Sequence, residues 1–166
     1  FINMYNKNED EYIVYFSSSG GEGEIANVIV DLINRNAKKT KLISYFQLAS
    51  AGFEIFFKAK CERQILNSTI GMYHLGTIEV DYNINGKVAY HSGVAQKKAM
   101  SKIDYPESLE FCNKLGFTQS ELREYNKGED VYFLSDRLQE FLKCNEQPIT
   151  KNIYNELMIK VNEGLS

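Results

Sequence analysis

The chain is poor in several of the features that most readily disclose a function. Its 166 residues include only three cysteines, Cys61, Cys112 and Cys144, an odd and widely spaced set that fits neither a disulfide framework nor a zinc-ligand pattern. They read as the reduced cysteines of a cytoplasmic protein, and no metal or other cofactor is expected. Charge of one sign is scarce too: 19 basic and 22 acidic residues leave a formal net charge of -3. Because the two signs are interleaved, neither nucleic acid nor an anionic membrane finds an attractive field. Long hydrophobic runs are missing. The longest in a helical context, over 25–33, is interrupted by Asn27 and Asp31, far short of the roughly 20 apolar residues that span a bilayer. No repeats, low-complexity tracts or signal-peptide pattern are found. The chain opens on Phe1 rather than methionine, so it is expected to be a trimmed fragment without its N-terminal element. Histidine is limited to His74 and His91, and any imidazole chemistry must fall to one of them.

What is present is a core and a pattern. With 43% hydrophobic residues, the chain is long enough to bury one substantial core, so a single domain over 1–166 is expected. Residues 12–16 form a continuous β-branched and aromatic run, predicting a central strand buried on both faces. Ile25, Val28, Ile29, Leu32 and Ile33 then recur at helical spacing while Asn27, Asp31 and Asn34 face away, predicting an amphipathic helix. A second strand is expected over 41–46, a strongly apolar helix from Ala51 ending near Lys58 to Lys60, and further strands over 62–66 and 69–74. Such β-α-β-α-β order implies a mostly parallel sheet.

The second half changes character. Ile78, Val80, Tyr82 and Ile84 alternate with polar residues, Asn85-Gly86 follows, and Val88 and Tyr90 resume the alternation, predicting a projecting hairpin with a type I′ turn. Helices are expected over 94–103, 106–115, 119–125, 136–143 and 152–161. Thr118 with Glu121 reads as a capping box, and Thr150 as the cap of the last helix.

Three short segments carry chemistry. A serine hydroxyl becomes a useful nucleophile only with a base to take its proton, a group to orient that base, and N–H donors for the oxyanion. Ser50 stands at the N-terminus of the apolar helix, where free N–H groups and the helix dipole favour developing negative charge. The N–H groups of Ala51 and Gly20 are candidate oxyanion donors, the latter because glycine lets backbone approach a substrate closely. His74 ends a strand on the side where α/β folds place ligands; His91 falls in the hairpin. Each feature alone has a plainer reading, with Ser50 as a helix cap and Gly20-Gly21 as a tight turn. A rival lies in Gly21-Glu22-Gly23-Glu24-Ile25-Ala26, which fits a dinucleotide fingerprint. The fingerprint's acidic ribose ligand is absent where the second strand ends, at Ser44-Tyr45-Phe46-Gln47. Leu48 stands where an esterase nucleophile elbow has glycine.

Taken together the segments resemble the proteolytic subunit of the Clp protease. Ser18-Ser19-Gly20-Gly21 stands where that family has Ser-Pro-Gly-Gly, and Ile29-Val30-Asp31 where it has Ile-Tyr-Asp. Gln47-Leu48-Ala49-Ser50-Ala51-Gly52 is similar to its Gln-Ala-Ala-Ser-Met-Gly. The run from Asn67 to His74 resembles its Asn-Ser-Arg-Val-Met-Ile-His with one extra residue, and Phe133-Leu134-Ser135 matches its Phe-Leu-Ser.

The resemblance covers roughly residues 12–142 and leaves 143–166 as a divergent helical tail. It implies the ClpP/crotonase-like spiral of β-β-α units and an ATP-dependent serine endopeptidase. Ser50 would be nucleophile, His74 base, and Gly20 and Ala51 the oxyanion hole. The family's aspartate falls at Glu124-Tyr125-Asn126, so Asn126 is the expected third member, with Asp130 in its place if one inserted residue shifts the loop. The implied partners are peptides or unfolded proteins as substrates, further copies of the chain, and an ATP-dependent unfoldase. Two other readings follow from the same fold: a crotonase-like acyl-CoA enzyme, and a degenerate Clp-like subunit with a structural role.

Overall fold

The computed structural model describes residues 11–76 and 105–146. The hairpin through Asn85-Gly86 with His91, the helices expected over 94–103 and 152–161, and the Thr150 cap all lie outside the described residues. In chain order the elements are β1 (Tyr12–Ser18), α1 (Gly23–Arg35), a 3-10 turn (Ala37–Lys39), β2 (Thr40–Ala49), α2 (Ala51–Lys58), β3 (Glu62–Ile65) and β4 (Ile70–Tyr73). A helix α3 over 105–115 follows, then α4 (Gln119–Asn126), β5 (Val131–Phe133) and α5 (Ser135–Glu146). The chain divides into two compact units, one comprising Phe1–His74 with Asp130–Glu146 and the other Leu75–Glu129 with Gln147–Ser166.

The first unit is a mixed α/β structure on a five-stranded, mostly parallel sheet. β2 organises it. The strand is ten residues long, outruns the expected 41–46, and takes two parallel neighbours in succession. Lys41 to Ser44 pair with Glu62 to Ile65 of β3, and Gln47 to Ala49 pair with Ile70 to Met72 of β4. On its other side β2 pairs with β1, and between Phe16↔Ser44 and Ser18↔Leu48 four residues of β2 match two of β1. That irregularity is a bulge, which bends the strand where it changes partner. Hydroxyls pin the changeover: Thr69 Oγ1 donates to Ser44 O at 3.1 Å and Ser68 Oγ to Tyr45 O at 2.5 Å. Ser44 and Thr69 are buried, so these bonds also satisfy groups that would be costly unpaired.

Helices α2 and α5 pack on the sheet, and α1 packs on α2. Six of the eight residues of α2 are buried, as its composition predicts. Phe53 is central, with ring centroids of Phe57, Tyr73, Phe133 and Phe141 at 4.6, 5.2, 5.7 and 6.2 Å. Arg63 Nη1 donates to the carbonyls of Phe56 and Phe57 near the end of α2, placing a cation at the negative end of the helix dipole.

Two expectations are corrected. β1 is not central: among the described residues it pairs only with β2, and Ile13 and Tyr15 are 60% and 68% exposed. An apolar run marks a strand that has apolar faces, and cannot say whether both are covered. α1 buries Ala26, Val30 and Ile33, whereas Ile25 and Val28 are exposed. The helix is apolar on more than one side, and the face that meets α2 is set by packing rather than by the widest stripe.

In the second unit, Thr118 Oγ1 accepts from the Glu121 N–H while Glu121 Oε2 accepts from the Thr118 N–H, the expected capping box. Phe111, Cys112, Leu115, Phe117, Leu122 and Tyr125 are buried.

Replacing Phe53 with alanine removes the hub of the aromatic cluster. Urea denaturation should show a loss of about 3–5 kcal/mol for the first unit, the range for large aromatic truncations in a packed core.

Candidate active site

Strand register assembles the site. β2 and β4 run parallel, so their carboxyl ends lie together, and Ser50 continues the pairing by donating its N–H to Met72 O at 2.9 Å. His74 follows β4 directly. β5 runs antiparallel to β4 with Tyr73 opposite Val131, which puts Asp130, the residue before Val131, beside His74. Three chain segments far apart in sequence thus meet at one sheet end, as ligand sites do in open α/β folds.

Ser50 occupies the N-cap position of α2, but its hydroxyl makes no capping bond. Its backbone lies at φ 51° and ψ -123°, and among the described residues it alone of the non-glycines has a positive φ. A residue with a Cβ is held there only when its surroundings over-determine it, and such strain concentrates at functional sites. The conformation turns the hydroxyl away from the helix and toward His74, with Ser50 Oγ 2.9 Å from His74 Nε2.

The other ring nitrogen fixes the proton positions. His74 Nδ1 lies 3.1 Å from Asp130 Oδ1. An ionised carboxylate can only accept, so Nδ1 carries the hydrogen, and in neutral imidazole Nε2 then presents its lone pair to the Ser50 O–H. Tyr132 donates a long bond, 3.5 Å, to Asp130 Oδ2. The residue at Nδ1 is therefore Asp130 and not Asn126. Asn126 closes α4 in the other unit, where its Oδ1 accepts from the Tyr105 hydroxyl at 2.9 Å. The sequence match that selected Asn126 aligned the loop without a gap. The strand pairing instead counts back from Val131, and reaches Asp130.

Gly20 and Ala51 both border Ser50. A Cβ on Gly20, whose φ is +109°, would lie 2.7 Å from Ser50 Cβ, and one on Gly52 would lie 2.5 Å from Ser18 Cβ. Only glycine permits either approach. The Gly20 N–H donates to Ser18 Oγ at 3.1 Å, while the Ala51 N–H opens the first turn of α2 and has no intrahelical acceptor. Ser18 is a site residue that sequence reasoning passed over; a serine two residues before a glycine turn is a recognisable turn signal. The dinucleotide rival fares worse, since Glu22 stands at the N-cap position of α1 and Glu24 in its first turn, where their charges oppose a pyrophosphate. Of the three thiols, Cys61 and Cys112 are buried and Cys144 is exposed; burial pushes the Cys61 thiol above its ordinary value, away from the reactive thiolate. Among the described residues no group of three His, Cys, Asp or Glu side chains is arranged to hold a metal ion, and no helix is long and apolar enough to cross a membrane.

No family model matches the sequence, and neither does any curated protein. Solved structures do match. One is a point mutant of ClpP1 from Listeria monocytogenes, 17% identical, with 84% of this chain and 74% of that chain covered and a TM-score of 0.50. At that identity the likeness establishes the fold, a ClpP-like α/β fold.

The pairing of His74 can be checked directly. A low-field ring N–H proton resonance of His74 is expected by NMR, abolished by Asp130→Ala and retained in Asn126→Ala.

Proposed function

We propose that the chain is a serine peptidase of the Clp type, hydrolysing peptide bonds through an acyl-enzyme on Ser50. The observation that carries this reading is the continuous path from Ser50 Oγ through both nitrogens of His74 to Asp130, at 2.9 and 3.1 Å. His74 Nε2 takes the hydroxyl proton as Ser50 attacks the carbonyl carbon, and the Ala51 N–H receives the oxyanion. The Gly20 N–H joins it when the substrate oxygen replaces Ser18 Oγ as its acceptor. His74 then passes the proton to the leaving amine, and water, deprotonated by the same imidazole, releases the acid and regenerates Ser50. Asp130 holds the tautomer and supports the imidazolium. Its side chain is 46% exposed, so solvent screens its charge and orientation is the larger part of its role.

A crotonase-like reaction needs paired N–H donors and would leave the serine and histidine idle. A purely structural subunit would give no account of the strain at Ser50. Peptide or unfolded-protein substrates, self-association, an ATP-dependent unfoldase and a cytoplasmic location belong to the same proposal, drawn from the resemblance to the Clp family.

A fluorophosphonate followed by mass spectrometry tests the mechanism. Labelling is expected on Ser50, slowed by His74→Ala by about a thousandfold or more, the scale seen when a triad member is lost. Peptide hydrolysis should vanish in Ser50→Ala. Absence of labelling, full-rate labelling of His74→Ala, or equal hydrolysis by Ser50→Ala overturns the reading.

A further inference from the structure

Beside the proposed triad lies a second polar connection that the chemistry does not use. Tyr73, the residue before His74, is 2% exposed, and its hydroxyl donates to Glu54 Oε1 at 2.8 Å. Glu54 is one helical turn beyond Ser50 and donates its N–H to Ser50 O at 3.2 Å. Its other carboxylate oxygen pairs with Lys58 one turn further on. The bond therefore runs from the neighbour of the base to the helical turn that carries the nucleophile.

Its position gives it a task. The β2–β4 ladder supplies only three residue pairs, ending at Ala49↔Met72, and the last backbone link across it is Ser50 N–H to Met72 O. Beyond Met72 the end of β4 is tied to α2 by a side chain. That side chain is Tyr73, with its ring stacked on Phe53 at 5.2 Å and its hydroxyl on Glu54. Ring stacking tolerates sliding, whereas a charge-assisted hydrogen bond has a defined length and direction. An apolar pair of the same volume would fill the space without a half-buried carboxylate to satisfy, so the polar pair adds geometry rather than burial.

We infer that the Tyr73–Glu54 bond is a strut that sets the separation of Ser50 from His74, with Tyr73 and Glu54 acting as positioning residues. The inference rests on the peptidase reading. Misplacement of reacting groups by a fraction of an ångström slows the step they perform and leaves ligand binding almost unchanged.

The test is the saturation kinetics of Ser50 phosphonylation by a fluorophosphonate, with circular dichroism melting to confirm folding. Tyr73→Phe and Glu54→Leu should each lower the maximal labelling rate about tenfold with an unchanged half-saturating concentration. The double variant should be no slower than either single one, since both remove the same bond. Glu54→Gln keeps an oxygen that accepts from Tyr73 and should stay within about twofold of the parent, as a hydrogen bond merely loses its charge assistance. If Tyr73→Phe fails to fold, the contrast between Glu54→Leu and Glu54→Gln decides. A parent that labels on Ser50 alongside equal maximal rates in Tyr73→Phe or Glu54→Leu, single effects that multiply, or equal loss in Glu54→Gln and Glu54→Leu overturns the strut alone. A parent that never labels on Ser50 overturns the peptidase reading and the strut with it.

Discussion

The conformation of one residue underlies the site. Ser50 leaves β2 with φ 51° and ψ -123°, a region that costs a residue with a side chain roughly 1–3 kcal/mol. Several independent restraints hold it there. Its N–H is committed to Met72 and its carbonyl to the Glu54 N–H, so both flanking peptides are fixed by different elements. Gly20 leaves room for the Ser50 Cβ, and Gly52 leaves room for Ser18. Behind them Phe53, Phe56 and Phe57 are almost wholly buried. Burying such a side chain is worth about 1.5–3 kcal/mol each, so anchoring α2 outweighs the strain at its first residue. The hydroxyl is directed toward the imidazole rather than back onto the helix as a cap because the backbone cannot relax.

That arrangement depends in turn on how β2 is shared. A strand with one parallel neighbour along its whole length would leave β3 and β4 in competition for the same edge. Here the bulge after Ser44 divides the strand, and β3 takes the earlier half while β4 takes the later. The buried Ser44 and Thr69 hydroxyls lie 3.2 Å apart at the junction, with Thr69 Oγ1 donating to Ser44 O and Ser44 Oγ reaching Gln64 O. Hydroxyls suit that position because each can donate and accept as the ladder changes partner. The consequence is felt a few residues on, where β4 ends level with Ser50 rather than with the middle of β2.

Much of this was legible from residue order. The apolar character of α2 announced a buried helix, Thr118 and Glu121 announced a cap, and four of the five strands lay within a few residues of their observed bounds. Ser50 and His74 were picked out because small residues and glycines preceded a helix and ended a strand. What could not be read was anything settled by pairing across distance. The run over 12–16 shows that β1 has two apolar faces, but whether each is covered depends on what packs over it from elsewhere in the chain, and Ile13 and Tyr15 stay exposed. The stripe on α1 was ambiguous for the same reason, because Ile25 and Val28 are as hydrophobic as the residues that pack. The strain at Ser50 was invisible, since serine carries no sign of a positive φ. Ser18, Tyr73 and Glu54 acquired their roles only when β1, β4 and α2 were brought side by side.

The third residue at the imidazole shows how the two kinds of information divide. Counting along the chain aligns Asn126 with a family aspartate, and counting across the sheet reaches Asp130. The second count is the stronger constraint, because an antiparallel pair fixes both partners at once: with Tyr73 opposite Val131, the residues that extend the two strands are forced together. Local sequence can slide by several positions in a turn such as Lys127-Gly128-Glu129, where Gly128 has a φ of +79°, whereas a one-residue slip of β5 would turn Val131 and Phe133 out of the core. Both are 2% exposed, and their burial fixes the register. The hydrophobic core thereby selects which carboxylate faces the histidine, although neither Val131 nor Phe133 hydrogen-bonds to it through a side chain.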